Sequence, residues 1–145
     1  MAAKEVDMLV KKIMTRKLES ILPTASLRQA ARKMRDLNLG SLPVTEDGVL
    51  IGMITDRDIC CRGVADSFDP ATTAVSEVMS RDIRFCFGDD NVTDAVQQME
   101  QHHIRRLAVL NHDKTMAGFL SVDDLAHYSP ELAGEVLDYV RPASH

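Results

Sequence analysis

Aligning the chain with itself constrains it more than any local pattern does. With a shift of 65 positions, VKKIMTR at residues 10–16 falls on VSEVMSR at 75–81, and SLRQAARKM at 26–34 falls on NVTDAVQQM at 91–99. One extra residue in the second copy moves the shift to 66, so that GMITDRDI at 52–59 falls on GFLSVDDL at 118–125. The two copies cover about residues 10–60 and 75–126. Identical pairs include Val10/Val75, Met14/Met79, Ala30/Ala95, Met34/Met99, Leu42/Leu107, Val44/Val109, Gly52/Gly118 and Asp58/Asp124, mostly of types that proteins bury. A duplicated core is therefore the first thing this sequence specifies.

Local signals repeat with it. Ser26 followed by Gln29 is a capping box, and Leu27, Ala30, Ala31, Met34 and Leu37 then recur at helical spacing, with Gly40 expected to end the helix. SLPVT and VLIGMI are β-rich runs separated by EDG, whose Asp-Gly is a hairpin signal. A second helix is expected from Thr55, and SILP reads as one more short strand. Copy two repeats this order of strand, helix, strand, strand, helix, with Asn91 as cap and Val92, Ala95, Val96 and Met99 as the helix face. A unit of about 50 residues is too small to bury such a sheet alone, so two β-α-β-β-α units packed sheet to sheet are expected, an α/β (α+β) fold. The expected division is residues 1–65 as the first unit with an N-terminal helix, 66–74 as linker, and 75–145 as the second unit with a C-terminal helix. Apolar faces at Val6, Leu9, Val10 and Ile13, and at Leu132, Val136, Leu137 and Val140, are left to cover the pair or to make dimer contacts.

Composition narrows the partners. The 145 residues are 45% hydrophobic, enough for a core, and 17 basic against 22 acidic residues leave a net charge of −5. Nucleic acid, which draws affinity from basic surface, is not an expected partner. No apolar run approaches the ~20 residues of a membrane span, and charges interrupt the N-terminus where a signal peptide would be apolar. A cytoplasmic location without membrane attachment is expected. Cys60, Cys61 and Cys86 form no C-x-x-C pair and read as small apolar residues, Cys60 and Cys61 as a buried pair, in a reducing compartment.

The order of elements, the VxxIM and VxxVM openings, and Gly-x-x-Thr/Ser-x-x-Asp at the last strand-to-helix junction of each copy resemble the cystathionine β-synthase (CBS) domain. The whole chain resembles a free-standing CBS-domain pair with two pseudo-twofold related units. The resemblance implies a cleft between the copies that takes an adenosine nucleotide, AMP, ADP or ATP, with NAD or S-adenosylmethionine as further options. It implies that Asp58 takes the ribose hydroxyls and Thr55 a phosphate, and that Asp124 and Ser121 do the same in copy two. Lys17 and Leu18, ahead of the first strand, are the implied adenine edge. Basic residues before the middle strand reach phosphates held by the other copy, which points to Arg105 and Arg106; copy one has Gly40 and Ser41 there. The cleft of Thr55, Asp58, Arg105 and Arg106 thus has a full set of parts, while that of Ser121, Asp124, Gly40 and Ser41 lacks a cation. A carboxylate suits a vicinal diol, and two forked guanidinium groups suit a di- or triphosphate. The same Thr55-x-x-Asp58 and Ser121-x-x-Asp124 are also N-capping patterns, which require no ligand at all.

Other clusters carry less. His102 aligns with Leu37 on a helix face and reads as a core-edge histidine rather than a metal ligand, and the acids at Asp56, Asp58, Asp123 and Asp124 have no accompanying base or nucleophile. No catalytic residues and no metal site are expected. The leading reading is a regulatory module that binds adenosine nucleotide, forms a homodimer and signals to an effector protein. The alternatives are a structural dimerisation module without a working site and an enzyme acting on nucleotides.

Overall fold

The computed structural model describes residues 8–16 and 19–140. In chain order the elements are α1 (Val10–Ile13), α2 (Leu27–Leu37), β1 (Ser41–Glu46), β2 (Val49–Thr55), α3 (Asp56–Asp58), a π-helical turn (Ile59–Val64), a 3-10 turn (Val75–Glu77), β3 (Phe85–Phe87), α4 (Val92–His102), β4 (Arg106–Leu110), β5 (Met116–Ser121), α5 (Val122–Tyr128) and α6 (Pro130–Val140). They form two compact units, one of Glu19–Ile83 and one of the described residues within Met1–Leu18 and Arg84–His145. Val6, Lys17 and Leu18 lie outside the described residues, as does the side chain of Val140.

In the first unit the capping box forms as its residues dictate: Gln29 N donates to Ser26 Oγ at 3.1 Å, and Ser26 N donates to Gln29 Oε1 at 2.8 Å. Leu27, Ala30 and Met34 on the inner face of α2 are buried. The helix ends on Asn38, not on Gly40: Asn38 takes the left-handed conformation at φ 55° and donates its N–H to Met34 and Arg35 carbonyls. Asn tolerates that conformation because its short polar side chain can bond locally, so no glycine is required. Strands β1 and β2 pair antiparallel across Asp47 and Gly48, both at positive φ (53° and 81°), as a two-residue hairpin turn demands. The expected first strand, SILP, shrinks to a single parallel bridge between Ile21 and Val44, which leaves a two-stranded sheet.

The second unit has the full three strands, with β3 parallel and β5 antiparallel to β4. Its core gathers Val92, Ala95, Val96 and Met99 of α4, Leu107 and Val109 of β4, Leu120 of β5, Leu125 of α5 and Val136 of α6. Each fully buried branched side chain is worth about 1.5–3 kcal/mol relative to exposure. Asn91 caps α4 by accepting from Thr93 N at 2.9 Å.

Neither unit coincides with one sequence copy, because the openings of the copies are exchanged. Val10, which opens copy one, is buried among the core residues of copy two, and its N–H donates to Asp90 O at 2.9 Å. Val75, Val78 and Met79, which open copy two, are buried with Leu27, Met34, Leu42 and Ile54 of copy one, and Val75 N donates to Ala25 O at 2.7 Å. Each opening then forms one antiparallel bridge with the last strand of its unit: Thr15 with Phe119, and Ser80 with Met53.

These bridges account for the repeated glycines. A Cβ added at Gly118 would overlap the Thr15 carbonyl, which is fixed by two backbone hydrogen bonds, Thr15 N to Phe119 O at 2.8 Å and Phe119 N to Thr15 O at 2.9 Å. At Gly52 the added Cβ would meet first the Met79 Sδ at 2.6 Å, a flexible side chain, and the Ser80 carbonyl only at 3.0 Å. Gly118→Ala should therefore cost about 1–3 kcal/mol, the range for overpacking, and more than Gly52→Ala, measured as denaturation midpoints of the two variants. Equal losses would show that the Thr15 carbonyl yields as easily as a methionine.

Cys60 and Cys61 are exposed, contrary to the expectation of buried thiols, because the π-helical turn presents Gly63 to the core instead. Cys86 in β3 is buried, and its thiol is pushed up to about 12, first by burial and then by the nearby Asp90 carboxylate. In the folded chain this thiol stays neutral where an unfolded one ionises. Its contribution to stability is therefore complete below the ordinary thiol value of 9.0 and is lost as the pH rises from there toward 12. Two thiols should react rapidly with a disulfide reagent in native protein, the third only after denaturation, and Cys86→Ala should flatten the decline of stability between pH 9 and 11. Rapid reaction of all three would place Cys86 at the surface.

Candidate functional site

In each copy the last strand delivers a hydroxyl residue and the following turn returns an aspartate to it. Asp58 N donates to Thr55 Oγ1 at 3.0 Å, and Thr55 N donates to Asp58 Oδ2 at 3.0 Å. Ser121 and Asp124 repeat this, with Asp124 N to Ser121 Oγ at 3.1 Å and Ser121 N to Asp124 Oδ2 at 3.0 Å. Both pairs are reciprocal capping boxes, so the capping role read from sequence is met in full. Both aspartates are half-buried and held in one orientation.

Beyond the caps the two carboxylates differ. Asp124 Oδ1 accepts from Thr15 Oγ1 at 2.8 Å, and its Oδ2 accepts a further bond from Ser121 Oγ at 3.1 Å. Asp58 Oδ1 has no hydrogen-bond donor among the described residues, and the Thr55 hydroxyl does not donate to Asp58. Thr15 was not singled out by sequence. The signal that could have found it is the hydroxyl in register after the repeated methionine, Met14-Thr15 and Met79-Ser80.

The basic residues sit at matched positions. Arg106 pairs with Ser121 across β4 and β5, as Ser41 pairs with Thr55 across β1 and β2. The Arg105 carbonyl accepts from Val122 N at 3.0 Å, as that of Gly40 accepts from Asp56 N at 2.9 Å. The Arg106 guanidinium lies 5.6 Å from the Phe119 ring centroid, within cation–π range, and the Arg105 guanidinium has no hydrogen-bond partner among the described residues. Thr55, Asp58 and Ser41 thus belong to the first unit, and Ser121, Asp124, Arg105 and Arg106 to the second. Lys17 and Leu18 lie outside the described residues.

Elsewhere in the second unit, a shallow cavity of about 240 Å³ at the hairpin end of the sheet is lined by Lys11, Arg16, Asp89, Asn111 and His112 among others, and by none of the expected ligand residues. His102 is half-buried at the end of α4, as a core-edge residue should be. Among the described residues no group of three or more His, Cys, Asp or Glu is placed to hold a metal ion, and no helix is long and apolar enough to cross a membrane.

Comparison with known proteins agrees with this duplicated architecture. The CBS domain family model matches residues 10–62 and again 75–131. The chain is 40% identical over 130 residues to the CBS domain-containing protein YhcV of Bacillus subtilis, covering 88% of this chain and 91% of the relative. It is 33% identical to Hypoxic response protein 1 of Mycobacterium tuberculosis over 74% of this chain and 76% of that one. A crystal structure of Hypoxic Response Protein I, with two coordinated zinc ions, superposes at a TM-score of 0.77 and 29% identity over 85% of this chain and 100% of that chain. The CBS domain pair of protein MJ0100, in complex with 5′-methylthioadenosine and S-adenosyl-L-methionine, superposes at 0.73 and 22% identity over 87% of this chain and 98% of that chain. With two matched copies filling most of its length, the chain belongs to the CBS domain family, as a tandem pair.

Proposed function

We propose that the protein is a regulatory module that binds an adenosine nucleotide and reports it through a change of shape to an effector protein. The observation that carries this reading is the state of Asp58: one oxygen is anchored by Thr55 N at 3.0 Å, while the other faces no protein donor among the described residues. An oriented carboxylate with an open oxygen is preorganised to accept from a vicinal diol, and the undonated Thr55 hydroxyl is left to contact a phosphate. Arg105 and Arg106 are the proposed phosphate partners, Lys17 and Leu18 the proposed adenine edge. The complex of the MJ0100 pair with 5′-methylthioadenosine and S-adenosyl-L-methionine recommends adenosine-type ligands as the panel to test, next to AMP, ADP and ATP. Turnover has no place in this reading, since the sequence supplies no nucleophile with a base and no phosphate loop with lysine.

Asp58→Ala should weaken adenosine-nucleotide binding about ten- to a hundredfold, the effect of losing a charge-assisted hydrogen bond worth roughly 1.5–3 kcal/mol. Arg106→Ala should weaken ATP more than adenosine, and Asp124→Ala should matter much less. Titration calorimetry on the three variants is the check; binding that survives all three would leave the aspartates as helix caps alone.

A second reading, a structural homodimerisation module, has its own observation: capping satisfies both aspartates' partners, and apolar side chains remain at the surface, Leu137 and Tyr128 in the second unit and Leu22, Val64 and Phe68 in the first. We propose that the regulatory module is also a homodimer, the simplest two-fold closure of such faces. Sedimentation at micromolar concentration should give about twice the 16.1 kDa of one chain; a monomer there would overturn the dimer and leave the ligand reading standing.

A further inference from the structure

We infer that Thr15 holds the second copy's ligand position closed, so that the chain carries one open and one self-occupied position. This deepens the proposed function and rests on the reading of Asp58 and Asp124 as ribose contacts.

The geometry is local to one unit. A ribose diol needs two acceptor positions on Asp124, and three donors already take three of its about four: Thr15 Oγ1 on Oδ1 at 2.8 Å, and Ser121 N and Oγ on Oδ2 at 3.0 and 3.1 Å. The Ser121 hydroxyl, the matched phosphate contact, is itself turned onto Asp124. Thr15 cannot drift off, because its backbone is pinned to Phe119 by two hydrogen bonds and sits against Gly118. A ligand must therefore displace a charge-assisted bond before it can make its own.

Copy one has the same backbone without the latch. Ser80 is bridged to Met53 by bonds of 2.8 and 2.9 Å, yet its hydroxyl makes no hydrogen bond to Asp58. The difference lies in the side chain. The β-branch of threonine restricts its χ1 and so fixes where the hydroxyl points, whereas serine's hydroxyl rotates at little cost. Thr15 is thus a determinant of which position is occupied, set by one methyl group.

The test is the stoichiometry of AMP binding by calorimetry. Wild type should bind one AMP per chain. Thr15→Val, which removes the hydroxyl and keeps the branch, should bind two, the second at least tenfold tighter than any second event in wild type. Thr15→Ser should shift toward the valine variant, since Ser80 at the matched place leaves Asp58 unlatched, and Asp58→Ala with Thr15→Val should still bind one AMP where Asp58→Ala alone binds almost none. 2′-Deoxy-AMP should lose the gained site. If the valine variant melts early, Thr15→Ala gives the same readout. One AMP bound by both wild type and Thr15→Val, or two already bound by wild type, overturns the latch and leaves the proposed function intact. No AMP bound by wild type with one bound by Thr15→Val supports the latch and overturns the assignment of the open position to Asp58. No binding by either overturns both.

Discussion

The carbonyl of Thr15 occupies the space where a side chain on Gly118 would begin, and the rest of the unit is arranged around that close approach. Because position 118 has no Cβ, the opening segment can lie against β5 and exchange two backbone bonds with Phe119. That contact brings Val10 into the core beside Val92 and Leu107, and sets the Thr15 hydroxyl within 2.8 Å of Asp124. Gly52 plays the same part for Ser80 and Met53 in the other unit. The glycine of the repeated motif is thus a packing requirement for a segment far away in sequence.

The aspartate of the motif caps a helix in both copies, and the cap does not use up the carboxylate. Capping uses one carboxylate oxygen in each copy, and this is the part that folding needs. The other oxygen is where the copies diverge, without a donor among the described residues in Asp58 and bonded to Thr15 in Asp124. A duplicated fold keeps both caps, since losing either would typically cost about 0.5–2 kcal/mol. Capping constrains only one oxygen of each carboxylate, so the outer oxygen is left to differ between the copies.

What was legible in the sequence depended on short-range bonds. The capping boxes at Ser26, Thr55 and Ser121, the Asn91 cap, the Asp47-Gly48 turn and the helix face of α4 are decided by residues within four positions of each other, and all formed; the α2 face formed at Leu27, Ala30 and Met34, while Ala31 and Leu37, expected on it, are exposed. The end of α2 was misplaced by two residues because Asn38 takes the left-handed conformation that a glycine was expected to supply. The exposure of Cys60 and Cys61 was missed because a π-helical turn shifts the face that an α-helical period would bury.

By itself the sequence determined the duplication, the order of elements from the first long helix of each copy onward, and the family, because each of these is carried by residue identity and register. Only the tertiary structure decided that the openings of the two copies are exchanged, that SILP contributes one bridge instead of a strand, and that Thr15 bonds the outer oxygen of Asp124 while Ser80 does not bond that of Asp58. Those outcomes come from contacts between residues 23 to 109 positions apart. Which hydroxyl reaches which carboxylate is fixed by how closely two backbones approach, and no pattern within a single segment records that distance.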